Sequence, residues 1–132
     1  MDLTNLEHLE FYFANNFDTT LFPVLSEHYL LSEDLDRAGQ VCEIGLGYNE
    51  DSLSGLFLQA RVLMARKDLQ HAEPFLKKVI ALDPSFFNAY LLLAEVQSGL
   101  KRSQAILMKC YSAILEMDPG NELALQAIGK LK

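Results

Sequence analysis

One short stretch of this chain occurs twice and decides the expected fold. Residues Glu33–Ala38 read EDLDRA, and residues Lys67–Ala72 read KDLQHA, 34 positions further on. A second sequence, Leu82-Asp83-Pro84, returns as Met117-Asp118-Pro119 after 35 positions. A period of about 20–50 residues is typical of proteins built from stacked repeats. The chain of 132 residues therefore has room for three copies of one unit.

The same spacing relates apolar and small residues along the chain. Small residues recur where two helices must approach closely, because a larger side chain there would push the helices apart. The equivalent positions are Phe22, Leu56 and Tyr90; Leu25, Gln59 and Leu93; Ser26, Ala60 and Ala94; Ala38 and Ala72; Cys42, Leu76 and Cys110; and Gly45, Val79 and Ala113.

Each unit contains two amphipathic helical patterns and none of the alternation typical of strands. Asp34 and Asp68 are expected to cap the second helices. The dipeptides Asp83-Pro84 and Asp118-Pro119 end them, because the residue before a proline disfavours helix. Pro74 should remove one backbone bond and bend its helix. The predicted first helices cover 19–31, 53–66 and 87–99, and the second helices 35–48, 69–82 and 103–117.

Apolar residues at helical spacing also predict a helix at each end of the chain. Residues Leu3–Ala14 form an amphipathic segment, and residues Asn121–Leu131 form another after Gly120. Stacks of repeats leave their last apolar faces uncovered, and terminal helices commonly cap them. We therefore expect an all-α protein.

This pattern resembles the tetratricopeptide repeat (TPR), in which a small residue follows a large apolar residue by four positions and a proline closes the unit. The resemblance implies a right-handed α-solenoid of three helix pairs, with an N-terminal helix and a C-terminal capping helix. It departs from the family where the first unit lacks a proline and where Ile106 or Leu107 replaces an expected alanine. The predicted boundaries are 1–18 for the N-terminal helix, about 19–52, 53–86 and 87–119 for the units, and 120–132 for the cap.

Composition argues against several classes of function. The chain carries 11 Lys and Arg against 18 Asp and Glu, a formal net charge of −7. A nucleic-acid binder needs a basic stripe, and we find none. Cys42 and Cys110 lie in apolar stretches and indicate core positions in a reducing compartment. We expect a cytoplasmic protein with no signal peptide, no membrane insertion and no nucleic-acid partner.

The sequence shows no catalytic constellation. His8, His28 and His71 are scattered, without a second ligand at metal-binding spacing. The glycines of Gly45-Leu46-Gly47 are more simply explained as the end of a helix than as a phosphate loop. We therefore expect no enzyme activity, no metal and no cofactor.

The first helices carry more apolar residues than one packing stripe requires, which indicates that a second face is covered. In the tetratricopeptide family the first helices line a concave groove, and the resemblance assigns this inner face. Burial against the end helices of the same chain is the alternative. The groove would be lined by Thr20, Val24, Glu27, Leu31, Ser54, Phe57, Leu58, Arg61, Asn88, Leu91, Leu92 and Glu95.

Family members that grip the carboxylate of a chaperone C-terminus do so with lysines, asparagines and an arginine on this face. Only Asn88 matches, so the resemblance does not extend to a carboxylate clamp. The corresponding positions here are Pro23, Glu27, Leu58, Asn88 and Leu92.

An apolar groove suits an amphipathic helix or an extended apolar segment. We predict a protein–protein interaction module that acts as an adaptor, a chaperone-like holder or an assembly scaffold. The alternatives are a homo-oligomerisation module, or a piece of a longer repeat array whose missing repeats cover the face. A further alternative is that the Leu3–Ala14 helix, with Phe11, Tyr12 and Phe13, occupies the groove.

Overall fold

The computed structural model describes residues 2–131, and every regular element in that range is an α-helix. This confirms the all-α prediction. The predicted helix boundaries agree with the structure to within about three residues. The helices are α1 (Leu6–Asn15), α2 (Phe22–Leu31), α3 (Leu35–Tyr48), α4 (Leu53–Ala65), α5 (Leu69–Leu82), α6 (Phe87–Gly99), α7 (Gln104–Met117) and α8 (Glu122–Leu131).

Helix α2 begins three residues later than predicted. Pro23 lies in its first turn, where a fixed φ and a missing N–H are tolerated. The Asn49 side chain donates to the carbonyl oxygens of Asp18 and Thr19, at 3.2 and 3.3 Å, and so ties the turns before α2 to the end of α3.

Side-chain caps begin several helices. Asp34 accepts a hydrogen bond from the Arg37 backbone N–H at 3.2 Å, as predicted. Asn5, Ser52 and Ser103 cap α1, α4 and α7 in the same way. Asp68 directly precedes α5, and its capping role stays a prediction.

Each first helix ends in the same turn, which the sequence did not reveal. Glu33, Lys67 and Lys101 have φ values of 63°, 64° and 57°, a left-handed conformation that is uncommon outside glycine. The next residue in each turn donates its N–H to the carbonyl five positions earlier, as in Asp34 N–H to Tyr29 O at 2.8 Å. This is the Schellman arrangement, and it turns the chain from the first helix into the second.

The chain forms two compact units, residues 1–68 and 69–132. The predicted division into three repeats between flanking helices stays a prediction. Within the first unit, α2 packs against α3, α3 against α4, and α1 against α2. The core of this unit consists of Leu9, Phe13, Phe22, Leu25, Tyr29, Ala38, Val41, Cys42, Leu58 and Val62.

Two glycines allow the Phe22 ring to enter this core. A Cβ atom added at Gly45 would lie 2.1 Å from the ring, and one added at Gly55 would lie 2.4 Å from it. Such distances are far inside van der Waals contact, so both positions require glycine while Phe22 stays in place. Gly45 and Gly55 therefore leave the space that the Phe22 ring occupies in the first unit.

Within the second unit, α5 packs against α6, α6 against α7, and α7 against α8. Helix α5 continues through Pro74. The small residues predicted at close helix contacts are buried here, as they are in the first unit. The fully buried side chains of this unit include Ala72, Leu76, Val79, Ala89, Val96, Ile114 and Ala124.

The structure settles the register of α7 and corrects two predicted sets of equivalences. Leu107 is buried, whereas Ile106 is 43% exposed. Ile114 is fully buried, whereas Ala113 is only partly buried. The equivalents of Leu76 and Val79 are therefore Tyr111 and Ile114, 35 positions on, instead of Cys110 and Ala113.

One extra residue in the turn before α7 causes this shift. In the first unit, Asp34 both closes the turn and caps the second helix. Before α7 these roles are divided, because Arg102 closes the turn and Ser103 caps the helix.

Arg102 also neutralises a buried carboxylate in the second unit. Its guanidinium donates to both carboxylate oxygens of Glu73, at 2.7 and 3.3 Å, and Gln97 Nε2 donates at 3.2 Å. Lys77 Nζ lies 4.0 Å away. The hydrogen bonds from Arg102 lower the pKa of Glu73 in spite of the desolvation that opposes this. A buried charge needs this degree of compensation.

Cys42 and Cys110 are free and buried, in agreement with their predicted core positions. Among residues 2–131, no helix has the length and apolar character needed to cross a bilayer.

Candidate interaction surface

In the first unit, the predicted groove residues lie on α2, on α4 and in the turn before α2. Thr20, Glu27, Leu31 and Ser54 are exposed. Val24, Phe57 and Arg61 are partly buried.

Leu58 is not part of an open surface. Its side chain is 3% exposed and belongs to the same buried cluster as Leu25 and Val62. Leu58 is therefore a core residue of the first unit and not a lining residue of the predicted groove. Its equivalent Val24, 34 positions earlier, is only partly covered.

An open cavity of about 370 Å³ marks the part of this surface that a ligand could enter. Four predicted residues line it, together with two that the sequence reasoning did not assign to an apolar site. Leu31 is 71% exposed at its rim, so its apolar side chain is accessible to a ligand there. The lining residues are Pro23, Val24, Glu27, His28, Leu31 and Ser54.

Two charged residues of the predicted groove form an ion pair. Arg61 Nη1 lies 3.7 Å from Glu27 Oε2, and both side chains retain substantial exposure. The cavity therefore combines an apolar floor with a carboxylate that is only partly neutralised.

Helix α1 packs beside this cavity and does not fill it. His28 Nε2 lies 3.2 Å from the Leu3 carbonyl oxygen, at the cavity edge. Leu9 and Phe13 enter the core of the first unit, whereas Phe11 is 74% exposed. The alternative in which α1 occupies the groove is therefore wrong for the cavity beside α2.

The contact between α1 and α2 includes a side-chain hydrogen bond. The Tyr29 hydroxyl donates to the Glu10 carboxylate, and the Arg37 guanidinium lies 5.8 Å from the centre of the Tyr29 ring. Burial, followed by the hydrogen bond to Glu10, raises the pKa of Tyr29 to about 12. Tyr29 therefore stays neutral and keeps its donor role at physiological pH.

In the second unit, the predicted groove residues lie on α6. Asn88 and Glu95 are exposed, whereas Leu91 and Leu92 are partly buried. A cavity of about 260 Å³ lies between α7 and α8 in the same unit, and Leu123, Ala127 and Lys130 contribute to its lining.

Sequence reasoning missed these α8 residues, although a signal was present. The Asp-Pro sequence recurs after 35 positions, from Asp83-Pro84 to Asp118-Pro119. The same shift carries Asn88 to Leu123, Leu92 to Ala127, and Glu95 to Lys130. Helix α8 therefore continues the set of inner-face positions within the second unit.

The residues at the carboxylate-clamp positions offer little to an anionic ligand. Glu27 is exposed and acidic, Pro23 lines the first cavity, Leu58 is buried, and Leu92 is partly buried. Asn88 is exposed. In the described range 2–131, no group of three or more His, Cys, Asp or Glu side chains is arranged to hold a metal ion.

No protein-family model and no curated protein matches the sequence. Solved structures are similar in fold. A MamA double mutant superposes with a TM-score of 0.84 at 20% identity, covering 96% of this chain and 71% of that one. YrrB, a TPR protein with an unusual peptide-binding site, superposes with a TM-score of 0.83 at 12% identity, covering 96% of this chain and 66% of that one. The first TPR of Spaghetti (RPAP3), bound to the HSP90 peptide SRMEEVD, superposes with a TM-score of 0.72 at 20% identity, covering 84% of this chain and 89% of that one.

Proposed function

The chain has the tetratricopeptide-repeat fold, and we propose that it is a protein-interaction module without a chemical step of its own. The proposed ligand is the apolar face of an amphipathic helix, or an extended apolar segment, of another protein. The proposed site is the inner face of α2 and α4 in the first unit, with its clearest opening at the cavity beside α2. Its roles would be those of an adaptor, a chaperone-like holder or an assembly scaffold in the cytoplasm.

The observation that carries this proposal is the exposed apolar lining of the first cavity. Val24 and Leu31 lie beside an opening of about 370 Å³, and Leu31 remains 71% exposed. Ligand sites are concave and mostly apolar, with a few polar groups that fix orientation. Glu27 and His28 supply such polar groups at the same opening.

Charge distinguishes the proposed ligand from those of two similar structures. RPAP3 domains are seen with the chaperone peptides SRMEEVD and SGPTIEEVD, which end in acidic residues. The present chain has a net charge of −7 and places Glu27 at its cavity. An acidic peptide would be repelled, whereas an apolar face flanked by lysines would be attracted.

A defined peptide tests this proposal. The probe is a fluorescent helical peptide with leucines on one face and lysines on the other, and its anisotropy reports binding. A peptide of the same composition in scrambled order controls for simple charge attraction. We expect the amphipathic peptide to bind and the scrambled peptide to bind at least about tenfold more weakly, a difference of about 1.4 kcal/mol.

A matched pair of variants localises the site. Leu31→Glu places a negative charge at the cavity. Ile44→Glu is the control, because it places the same charge at an exposed apolar residue of similar size on α3. We expect Leu31→Glu to abolish the preference for the amphipathic peptide and Ile44→Glu to preserve it. Equal binding by both variants, with their helix content intact, would rule out this site.

Two rival proposals assign the same face to other occupants. In one, a second copy of the chain covers it, and in the other, further repeats of a longer protein do so. A second copy predicts a molar mass that rises with concentration and returns to that of the monomer in Leu31→Glu. Light scattering on both variants therefore separates this rival from a peptide-binding monomer.

A further inference from the structure

One strip of α2 places two polar residues between two apolar ones. Its four residues share one face of the helix, because they recur at helical spacing: Val24, Glu27, His28 and Leu31. All four line the cavity of about 370 Å³. Val24 and Leu31 lie about 10.5 Å apart along the helix axis, at a rise of about 1.5 Å per residue. The strip therefore has an apolar residue at each end and a carboxylate near its middle.

The Glu27 carboxylate is only partly engaged within the chain. Arg61 Nη1 lies 3.7 Å from Glu27 Oε2, whereas a charge-assisted hydrogen bond to a carboxylate measures about 2.7–2.9 Å. The Glu27 side chain is 52% exposed and that of Arg61 is 35% exposed, so a ligand can reach both. A carboxylate has acceptor sites for several donors. Glu27 can therefore accept a hydrogen bond from a second cation while it remains close to Arg61.

The other polar groups at the cavity do not supply that second cation. His28 Nε2 lies 3.2 Å from the Leu3 carbonyl oxygen, and Ser54 contributes a neutral hydroxyl. Of the lining residues that the structure describes, Glu27 is a carboxylate and none is a lysine or an arginine. A cleft lined by charge of one sign attracts groups of the opposite sign. The middle of the strip therefore favours a positively charged group from a ligand.

A wholly apolar ligand would fit this strip poorly. Such a ligand would remove water from the Glu27 carboxylate and leave it with Arg61 at 3.7 Å as its counter-ion. Covering a charge without a hydrogen-bond partner is costly. A cation on the ligand offsets this cost, because it donates to the carboxylate as the water leaves.

We infer that Glu27 selects a lysine or arginine on the apolar face of the bound helix itself, midway between two large apolar residues seven positions apart. A helix that lies along α2 repeats the spacing of Val24 and Leu31, because both helices rise by the same amount per residue. Its two apolar residues then contact Val24 and Leu31, and the residue midway between them lies opposite Glu27. Because the strip is nearly symmetrical about its middle, this holds for either direction of the ligand helix. The selectivity rests on the proposed peptide-binding function and adds a sequence pattern to it.

Three fluorescent helical peptides of equal length test this selectivity. In the first, a lysine lies midway between two leucines seven positions apart. In the second, that lysine exchanges places with a glutamine on the opposite face, so composition and net charge are unchanged. In the third, a glutamate replaces the lysine. Anisotropy titrations at low ionic strength should show the first peptide binding about two- to fivefold more tightly than the second, the range of an exposed ion pair, and the third binding most weakly.

Variants of the chain assign the preference to Glu27. Glu27→Gln should remove the preference between the first two peptides. Glu43→Gln removes the same charge from an exposed position on α3 and should retain the preference. Arg61→Gln should increase it, because this change removes the cation that now shares the Glu27 carboxylate. Glu27→Lys should reverse the order, so that the glutamate peptide binds most tightly.

The outcomes distinguish failure of the selectivity from failure of the proposed function. Equal binding of the three peptides, with Leu31→Glu still abolishing it, would overturn the selectivity and leave the binding site in place. If none of the peptides binds, both proposals are wrong. A preference that persists in Glu27→Gln would assign the cation to another carboxylate and would contradict the inference.

Two further measurements identify the occupant of the strip. A proline midway between the leucines and next to the lysine prevents the peptide from forming a helix and should abolish its binding. Undiminished binding of that peptide would mean that the ligand is extended, against the inference. Light scattering without peptide reports a second copy of the chain. A dimer that Leu31→Glu converts to a monomer would show that another copy occupies the strip instead of a basic helix.

Discussion

The Arg61 guanidinium on α4 lies 3.7 Å from the Glu27 carboxylate on α2, and these residues occupy equivalent positions 34 apart in the sequence. Their side chains are 35% and 52% exposed, so water and salt screen the pair. A double-mutant cycle with Glu27→Ala and Arg61→Ala, measured by urea unfolding, should give a coupling free energy below about 1 kcal/mol. The coupling should decrease further at high salt. A coupling above that limit would mean that the pair is far less solvated than its exposure indicates.

The contact between Phe22 and two glycines predicts a strong dependence on substitution. Gly45→Ala should lower the free energy of unfolding by roughly 1–3 kcal/mol, because the new methyl group would overlap the Phe22 ring. Gly47→Ala is the matched control in the same helix, since its Cβ would meet no atom within 4 Å. That variant should be more stable by about 0.5–1 kcal/mol, because alanine has less conformational freedom to lose. Chemical unfolding of both variants tests the contact, and Phe22→Leu should reduce the penalty of Gly45→Ala.

The Glu73–Arg102 pair predicts a pH-dependent contribution to stability. The pKa of Glu73 is lower in the folded chain than the ordinary glutamate value of 4.5, because Arg102 donates hydrogen bonds to the carboxylate. The contribution of the ionised Glu73 side chain to the free energy of unfolding is therefore complete when the pH is above that ordinary value. It is lost as the pH falls through the lower pKa of the folded state. Glu73→Gln should cost roughly 1–3 kcal/mol at pH 7, because hydrogen bonds to a charged group are replaced by weaker ones.

Urea unfolding of wild type and Glu73→Gln across the acidic range measures this effect. The difference between the two proteins should shrink as the pH falls below about 4. A difference that stays constant from neutral to acidic pH would show that Glu73 is not held as a carboxylate. Glu116→Gln, at an exposed position on α7, serves as the control.

Burial of both thiols predicts low chemical reactivity in the folded chain. Desolvation raises the pKa of Cys42 and of Cys110 to about 11, so little thiolate is present at neutral pH. A thiol-specific chromogenic disulfide should react slowly with the native protein and promptly with both cysteines in denaturant. Ser112→Cys adds an exposed cysteine as a positive control and should react at once. Rapid native labelling of the wild type would show that the core around one thiol opens readily.

The sequence was sufficient to predict the helices and the positions of closest helix contact. Helical periodicity and caps such as Asp34 depend on neighbouring residues in the chain, and their signal is therefore local. Ser26, Ala60 and Ala94 were identified from spacing alone, and the structure buries all three almost completely. Repetition of the unit supplied what one unit would not have shown, because a small residue appears at each position where the same helix contact must form.

The tertiary structure decided which of the equivalent residues are accessible. Val24 and Leu58 share a register position, yet Val24 lines an open cavity and Leu58 lies in the core. Exposure depends on the helices that surround each position, and those differ along a stack even where the sequence repeats. The pairing of Glu73 with Arg102, 29 residues apart, likewise follows from packing and from one extra turn residue. Periodicity along a chain fixes the face of each helix, whereas only the arrangement of neighbouring helices determines whether that face meets protein or water.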